Sequence, residues 1–236
     1  MHEKPGTIYL VPTPIGNMGD ITTRAIDVLS AVDLIACEDT RVSGNLLKKL
    51  GIAKKLVSYH EFNERKRALE LVESVRAGQS VAVISDGGSP GISDPAYRVV
   101  RAAVDHKLNV VALPGSCAII PALTASGLPT DRFFFEGFLS NKGAARKKRL
   151  GELSGLSHTL VFYESPHRVH KTLADMLEIL GDRQACLARE ISKKFEQYIR
   201  GSLTEIIKAL SGIRGKGEIV IVVAGVGRKK GEPGDG

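Results

Sequence analysis

Three short apolar runs of this chain each end in a loop rich in glycine, proline and serine. The runs span residues 8–11, 81–84 and 110–113, and the loops after them, here called loop 1, loop 2 and loop 3, span residues 12–17, 85–91 and 114–117. Apolar runs of this length predict buried strands of a parallel sheet, and the loops that leave the carboxyl ends of such strands line its ligand crevice. Glycine lets the backbone approach a ligand closely and proline fixes the turn. The three loops therefore predict a flat, extended ligand held largely by main-chain atoms.

The loops also exclude two common ligand classes. None has the G-x-G-x-x-G spacing of a dinucleotide site, and none has the lysine of a phosphate-binding P-loop. The sequence therefore disfavours a dinucleotide or a nucleoside triphosphate.

Composition indicates a globular protein with an anionic partner. The 236 residues are 43% hydrophobic and 25% charged, with a formal net charge of +7 that favours a nucleic acid or a polycarboxylate. A slightly basic protein without an anionic ligand is the alternative. The odd number of cysteines, without C-x-x-C spacing, favours a reducing compartment over a zinc site or a disulfide framework. No apolar run reaches the length of a membrane span and residues 1–6 lack a signal core, so we expect a cytoplasmic protein that binds neither membrane nor metal.

The order of patterns predicts two α/β domains and a tail. Residues 1–127 alternate five strands with helices, as in a doubly wound parallel sheet. Asp20 and Asp94 are predicted to begin two of the helices, and loop 3 a third. Residues 128–227 predict a mixed α/β domain, and residues 228–236, rich in lysine and glycine, predict a disordered tail.

Six sequence blocks, taken together, resemble the ribosomal RNA small subunit methyltransferase I family of the tetrapyrrole-methylase superfamily. The blocks are TPIGN at 13–17, EDTR at 38–41, SDGGSPGISDP at 85–95, LPGSCA at 113–118, FYESPHR at 162–168 and ARE at 188–190. The resemblance implies the two-domain class III methyltransferase fold and a homodimer that uses S-adenosylmethionine. It further implies 2′-O-methylation of a cytidine ribose in the decoding region of 16S rRNA, either free or within the assembled 30S subunit.

Under this resemblance the three loops supply most of the predicted cofactor site. Pro14 and Ile15 are expected to supply apolar contacts, and Asp86 a carboxylate acceptor. Loop amides are expected near Gly88 and Ser89, and the start of a helix at Ser116 and Cys117. Each loop also has a simpler interpretation: an ordinary strand-to-helix turn for loop 1, a turn-forming Asp86 for loop 2, and helix capping by Ser116 for loop 3. The resemblance adds residues from the second domain, each of which alone would fit a core position: Phe162, Tyr163, Ala188 and Ile219.

The chemistry implied by the resemblance is an in-line displacement at a sulfonium methyl group, which requires positioning and no metal. A base, or a cation that steadies the forming alkoxide, would assist a ribose hydroxyl. One set of candidates follows strands of the second domain: Glu164, His167, Arg168, Arg189 and Glu190. Glu38, Asp39 and Arg41 form a further set, and each of these charged residues can equally be a solvated loop residue. The sequence does not decide which of them is the base.

Basic residues outside the loops are candidates for contacts to RNA phosphates. They are Arg41, Lys142, Arg146, Lys147, Lys148 and Arg149. The run at 142–149 fits a solvated helix face as well as an RNA surface. Phe138 and the Tyr59-His60 pair are candidates for stacking on a base.

Two other functions fit the same residues. A precorrin-type C-methyltransferase acts on an anionic tetrapyrrole, which would also account for the basic charge. A non-catalytic RNA-binding module on the same fold would need neither Asp86 nor an open loop 3.

Overall fold

The chain forms two compact units, Met1–Cys117 and Ala118–Gly236. The structure is a computed structural model, and it describes residues 6–210 and 217–227. The predicted tail at 228–236 lies outside the described residues. The first helix after loop 3, α5 (Ile119–Thr124), belongs to the second unit, because it packs against two strands of that unit's sheet. The sequence-based boundary after residue 127 had placed this helix with the first unit.

The first unit is a five-stranded parallel sheet with helices on both faces. The predicted doubly wound architecture is confirmed, with strand order β3-β2-β4-β1-β5. Its elements are β1 (Thr7–Leu10), a 3-10 turn (Met18–Asp20), α1 (Thr23–Ala31), β2 (Leu34–Cys37), α2 (Thr40–Lys49), β3 (Leu56–Ser58), α3 (Glu64–Arg76), β4 (Val81–Ile84), α4 (Ala96–Asp105) and β5 (Asn109–Ala112).

The two faces of this sheet bury separate helix pairs. Leu29 of α1 and Leu47 of α2 pack on one face, while Val72 of α3 and Val99 of α4 pack on the other. The residues of β2 and β4 are buried throughout, as expected for central strands covered on both sides. Because β2 and β4 are neighbours whose following helices lie on opposite faces, their carboxyl ends mark a topological switch point, where ligands of open α/β sheets bind.

Two helix starts differ from the sequence-based prediction. Helix α1 is capped by Thr22, whose Oγ1 accepts a hydrogen bond from the Ala25 amide at 3.0 Å, so Asp20 belongs to the preceding 3-10 turn. Asp94 does act near the start of α4, because its Oδ1 accepts from the Ala96 amide at 3.1 Å, but Pro95 occupies the cap position itself. Short polar side chains at several neighbouring positions can each cap a helix, and only packing selects one.

The second unit is a mixed sheet in the order β6-β7-β10-β8-β9, with β6 and β7 parallel and the other pairs antiparallel. Its core lies between the sheet and helices α6, α7 and α8. After α5, its elements are β6 (Phe133–Phe138), α6 (Gly143–Leu153), β7 (Thr159–Glu164), α7 (Val169–Leu180), β8 (Gln184–Arg189), β9 (Gln197–Ser202), α8 (Leu203–Leu210) and β10 (Ile219–Val223).

Candidate functional site: a connected set of loops at the carboxyl edge of the first sheet

Loops 1 and 2 are joined by a pair of backbone hydrogen bonds. The Thr13 amide donates to the Gly88 carbonyl and the Gly88 amide donates to the Thr13 carbonyl, both at 2.9 Å. The buried Thr13 hydroxyl adds a bond to the Ser85 carbonyl at 3.1 Å. The Gly88 amide is therefore engaged within the protein, and the prediction that it faces a ligand is wrong.

The conformation and packing of loop 2 require glycine at position 88. Its φ is +93°, and a Cβ atom at this position would come within 3.4 Å of Ile15 Cγ2. Any other residue would strain the backbone and press on loop 1. The glycine thus permits the two loops to pack together.

Loop 3 is attached to the same assembly. The Ser89 hydroxyl donates to the Ser116 carbonyl at 2.9 Å, and the Ser116 hydroxyl donates to the Asp20 carbonyl at 3.2 Å. Helix α5 begins at Ile119 and, within the described residues, has no side-chain cap, so both the predicted helix-start position of Ser116 and its alternative capping role are wrong. The two serines instead tie the loops into one continuous edge.

Loop 2 carries an exposed carboxylate at Asp86. Asp86 and Gly87 are exposed, and Asp86 Oδ1 accepts the Asp39 amide at 3.2 Å. A carboxylate anchored through one oxygen retains capacity to accept bonds from hydroxyl or ammonium groups of a ligand. The sequence-based choice of Asp86 therefore remains a proposal that its position supports.

Glu38, at the end of β2, lies in the electrostatic field of loop 2. Burial, followed by the negative charges of Asp86 and Asp94, raises the pKa of the Glu38 carboxyl, while a backbone hydrogen bond from Asp86 partly opposes the shift. Its neighbour Asp39 is bound by Arg41, whose guanidinium donates at 2.6 Å and holds the pKa of Asp39 well below its usual range. Arg41 remains exposed.

Beside these loops, an open cavity of about 740 Å³ extends along the carboxyl ends of β2 and β3 and the segment before α4. Its lining residues are Glu38, His60, Glu61, Phe62, Glu64, Ser93, Asp94, Pro95, Tyr97 and Arg98. Sequence reasoning singled out Glu38 and His60 but missed Phe62 and Tyr97. Phe62 lies between β3 and α3, whereas Tyr97 lies in the first turn of α4, so only the packing of α3 against α4 brings the two rings to one cavity.

The four residues predicted to complete the cofactor site from the second unit do not share a face of its sheet. Phe162 and Ile219 belong to the core beneath the helices. Tyr163 and Ala188 both pair with Val220 in the register and therefore lie on the other face. The rings of Phe135 and Phe138 pack against Tyr163 at centroid distances of 5.0 and 5.5 Å. The four residues therefore stay a proposed set, and they could contribute to one site only where the ends of these strands meet it, through side chains of both faces or through main-chain atoms.

Glu164 occupies a structural position at the end of β7. The residue is buried, accepts the Ser165 amide at 2.7 Å and the Thr172 hydroxyl, and lies 3.4 Å from Arg168 Nε. Arg168 in turn donates to the Leu139 carbonyl at 2.6 Å. His167, between them, is exposed.

The candidate catalytic residues Arg189 and Glu190 lie at the same end of the second sheet as Glu164. Ile219 pairs with Glu164 on one side and with Arg189 on the other, so both groups lie at one end of the sheet. Glu190 adopts a φ of +52°, and its Oε1 lies 3.2 Å from both Lys193 Nζ and the Glu218 amide. Glu190 therefore holds the β8–β9 turn together, whereas Arg189 forms no ion pair within the described ranges.

The basic run at 142–149 divides into buried and exposed members. Arg146 is buried, paired with Asp175 at 2.6 Å and bound to the Ser140 carbonyl at 3.1 Å. Its guanidinium is consumed by the α6–α7 contact, so the prediction that Arg146 contacts RNA is wrong. The alternative that the run forms a helix face is correct in its helix, α6, but this face is not solvated at Arg146.

The remaining members of the run differ in availability. Arg149 is held by Glu136 and Glu152, which raise its pKa, and Lys147 is held by Glu178 and Asp175. Lys142 and Lys148 are exposed. Of the predicted set, these two and the exposed Arg41 remain the most accessible to a phosphate.

Residues 6–210 and 217–227 contain no group of three or more His, Cys, Asp or Glu residues placed to hold a metal ion. No helix within these ranges is both long enough and apolar enough to span a bilayer.

Comparison with known proteins assigns the family. Residues 7–207 match the profile of the Tetrapyrrole (Corrin/Porphyrin) Methylases. The chain belongs to the tetrapyrrole methylase family. It is therefore a methyltransferase, and S-adenosylmethionine is the methyl donor of this family.

Curated relatives within the tetrapyrrole methylases are similar over most of their length. Two proteins named ribosomal RNA small subunit methyltransferase I, from Vibrio cholerae and Mesorhizobium japonicum, are 50% and 46% identical over 92% and 97% of this chain. The chain covers 77% and 78% of these relatives.

Solved structures support the fold alone. A diphthine synthase superposes with a TM-score of 0.71 at 14% identity, covering 93% of this chain and 90% of that one. The methyltransferase CobJ superposes with a TM-score of 0.68 at 21% identity, covering 96% and 97%. The predicted tetrapyrrole-methylase architecture is thereby confirmed.

The loops of this tetrapyrrole methylase fit the donor chemically. An exposed carboxylate at Asp86 suits the ammonium or ribose hydroxyls of S-adenosylmethionine, and Ile15 supplies apolar surface beside Gly88. Because the three loops are hydrogen-bonded to one another, they offer a pre-organised edge to such a ligand.

Proposed function

We propose that this protein transfers the methyl group of S-adenosylmethionine to the ribose 2′-oxygen of a cytidine in the decoding region of 16S rRNA. The observation that carries the proposal is 46–50% identity, over 92–97% of the chain, to proteins named for methylation of small-subunit ribosomal RNA. The basic net charge of +7 supports a polyanionic substrate.

In the proposed cofactor site, Asp86 binds the donor through its free carboxylate capacity, and loops 1 and 3 hold its position through the Thr13–Gly88 and Ser89–Ser116 bonds. When bound, S-adenosylmethionine supplies an electrophilic methyl group on sulfur. The protein contributes mainly orientation and exclusion of water, since an in-line displacement depends on alignment of the reacting atoms. Pro14 and Cys117 remain proposed contacts at the ends of this edge.

Among the proposed catalytic residues, Arg189 is the best placed to steady a forming alkoxide, because its guanidinium is not consumed by an ion pair within the described part of the chain. His167 is a proposed proton acceptor on an exposed turn. We propose that Glu164 positions Arg168 and that Glu190 supports the turn, since both carboxylates are occupied by internal bonds.

RNA contacts are proposed for Arg41, Lys142 and Lys148, which are exposed. Action in the cytoplasm follows from a ribosomal substrate. Homodimerisation and action on an assembled 30S subunit are further parts of the proposal that rest on the family resemblance, and light scattering and assays with intact subunits test them.

The experiment is in vitro methylation with labelled S-adenosylmethionine, followed by mass spectrometry of the rRNA nucleosides. We expect 2′-O-methylcytidine to appear with the wild-type protein and to decrease strongly with Asp86→Ala. The matched control is Asp105→Ala, an exposed carboxylate at the end of α4. Methyl transfer to a tetrapyrrole and not to rRNA would overturn the proposal, as would rRNA binding without any methyl transfer.

A further inference from the structure

The cavity beside the three loops is lined by residues that are not part of the proposed methyl-donor site. Its volume of about 740 Å³ is within the range of small-molecule pockets. It lies beyond the carboxyl ends of β2 and β3, and its lining residue Glu38 is in the electrostatic field of Asp86, which accepts a hydrogen bond from the Asp39 amide at 3.2 Å. The donor edge and the cavity are therefore neighbours within the first unit.

Two aromatic rings line this cavity and are turned toward solvent. Phe62 is 92% exposed and Tyr97 is 71% exposed, although aromatic residues make up only 5% of the chain. The Phe62 ring packs edge-on against His60, with centroids 6.0 Å apart. Exposed rings at the rim of a polar cavity are suited to stacking on a planar ligand.

The polar lining accepts hydrogen bonds and repels anions. Asp94, Glu61 and Glu38 contribute carboxylates, while Arg98 is paired with Glu64. Burial and the neighbouring Asp86 and Asp94 raise the pKa of Glu38, and an amino donor placed between these carboxyls would relieve their repulsion. A phosphate would be rejected by the same groups.

One donor in the lining lacks an acceptor. Asn63 donates its amide N–H to the Ser58 carbonyl at 3.2 Å and approaches His60 Nε2 at 3.2 Å, so Nε2 is the acceptor of the neutral ring and Nδ1 carries the proton. His60 Nδ1 is buried and has no hydrogen-bond partner among the residues described. The carboxylates are therefore the groups that the cavity presents to a ligand, and the His60 imidazole forms part of its wall.

We propose that this cavity binds an unstacked, amino-bearing nucleobase of the substrate RNA, with Phe62 and Tyr97 stacking on it. Cytosine and adenine each present an amino donor on the Watson–Crick edge, which complements the carboxylates of the lining. Uracil has a donor at the ring nitrogen and a carbonyl in place of the amino group, so it matches less well. This inference rests on the proposed rRNA substrate and adds the site that selects the base.

The site is held in place by Tyr59 beneath it. The Tyr59 hydroxyl donates to the Pro95 carbonyl at 2.9 Å and accepts from the Val99 amide at 3.2 Å. These bonds fix the segment that bears Asp94 and Tyr97 against the end of β3. The cavity is thus formed by the protein alone and does not require a ligand to shape it.

The test measures methylation kinetics with 16S rRNA for the wild type, Phe62→Ala and Tyr97→Ala. Loss of a stacking ring is expected to raise KM for rRNA by about 5- to 100-fold. The dissociation constant for S-adenosylmethionine, measured by calorimetry, is expected to stay unchanged. Leu69→Ala, an exposed apolar residue of α3, serves as the matched control and should change neither quantity.

A second readout does not depend on turnover. Fluorescence titration with single-stranded oligocytidine and oligouridine should show tighter binding of oligocytidine, and Glu38→Leu should remove the preference. Unchanged KM in both aromatic variants would overturn the inference even if the wild type methylates rRNA. So would a lysine-rich peptide that binds in a Phe62-dependent manner while RNA binding is unaffected. If the wild type does not methylate rRNA but binds oligocytidine more tightly than oligouridine, and Phe62→Ala removes this preference, the proposed methylation is contradicted and the base site is supported.

Discussion

The backbones of Thr13 and Gly88 exchange two hydrogen bonds of 2.9 Å, which join loop 1 to loop 2 as a minimal antiparallel bridge. Because Ser89 then binds the Ser116 carbonyl, displacement of any one loop disturbs the other two. The proposed donor site is thus a coupled unit, and substitutions within it should affect stability and donor affinity together.

Gly88→Ala tests this coupling. With φ at +93° and Ile15 Cγ2 at 3.4 Å from the new Cβ, we expect the free energy of unfolding to fall by about 1–3 kcal/mol. S-adenosylmethionine affinity should weaken in the same variant, as measured by calorimetry. Gly155→Ala, where a Cβ meets nothing within 4 Å, is the control. Normal stability with lost affinity would show that Gly88 contacts the ligand directly.

Asp86→Asn removes the charge of the proposed donor ligand but keeps its shape. Hydrogen bonds to a charged group contribute more than neutral ones, so we expect the dissociation constant for S-adenosylmethionine to rise about 10- to 100-fold. Thermal unfolding without ligand should change little, because the side chain is exposed. An unchanged dissociation constant would remove Asp86 from the site.

Arg146→Leu distinguishes a structural arginine from an RNA contact. Removal of the guanidinium leaves Asp175 buried, with only Lys147 at 3.6 Å to compensate, so we expect a loss of about 3 kcal/mol in unfolding free energy. Lys148→Ala, on an exposed position of the same helix, should keep its stability and weaken RNA binding with a smaller salt dependence. A stable Arg146→Leu variant with weakened RNA binding would contradict the structural role of Arg146.

Tyr59→Phe should alter how stability depends on pH. Burial raises the pKa of Tyr59 from 10.0 to about 12. Above the unfolded value the unfolded chain releases its proton before the folded one does, so the stabilisation is present at neutral pH and is lost as pH rises from 10.0 to about 12. Urea titrations should show a steeper loss over this window for the wild type than for the variant. At pH 7 the variant should be less stable by about 1–3 kcal/mol, through loss of the bonds to Pro95 and Val99.

Glu164→Gln separates a positioning role from a catalytic one. The carboxylate accepts from Ser165 and Thr172 and faces Arg168, so we expect the unfolding free energy to fall by about 1–3 kcal/mol. The exposed Glu178→Gln of α7 is the control. A loss of kcat with unaltered stability, and with an altered pH profile, would instead identify Glu164 as the base.

The loops and the parallel sheet were predictable from the sequence because local chemistry encodes them. A β-branched apolar run such as 81–84, bounded by turn residues, favours a strand covered on both faces, and a loop like 85–91 requires glycine wherever it is packed closely. The role of each glycine was not predictable. Gly88 supports a contact with Ile15, a residue 73 positions earlier in the chain.

The basic run at 142–149 shows the same limit. Its charge indicated an RNA surface, yet Arg146 points into the contact with α7 and Lys148 points outward. Helical periodicity alone separates the two residues onto different faces, but it does not tell which face finds a carboxylate. Asp175 lies 29 residues away and is brought near only by packing.

The sequence by itself determined the class of fold, the positions of the three loops and the family, since all of these follow from short contiguous patterns. The tertiary structure decided which polar groups stay free for a ligand: Asp86 does, the Gly88 amide and Arg146 do not, and Phe62, Tyr97 and His60 meet around one cavity. The physical reason is that the availability of a polar group depends on its partners. Those partners come from distant parts of the chain, where no local pattern records them.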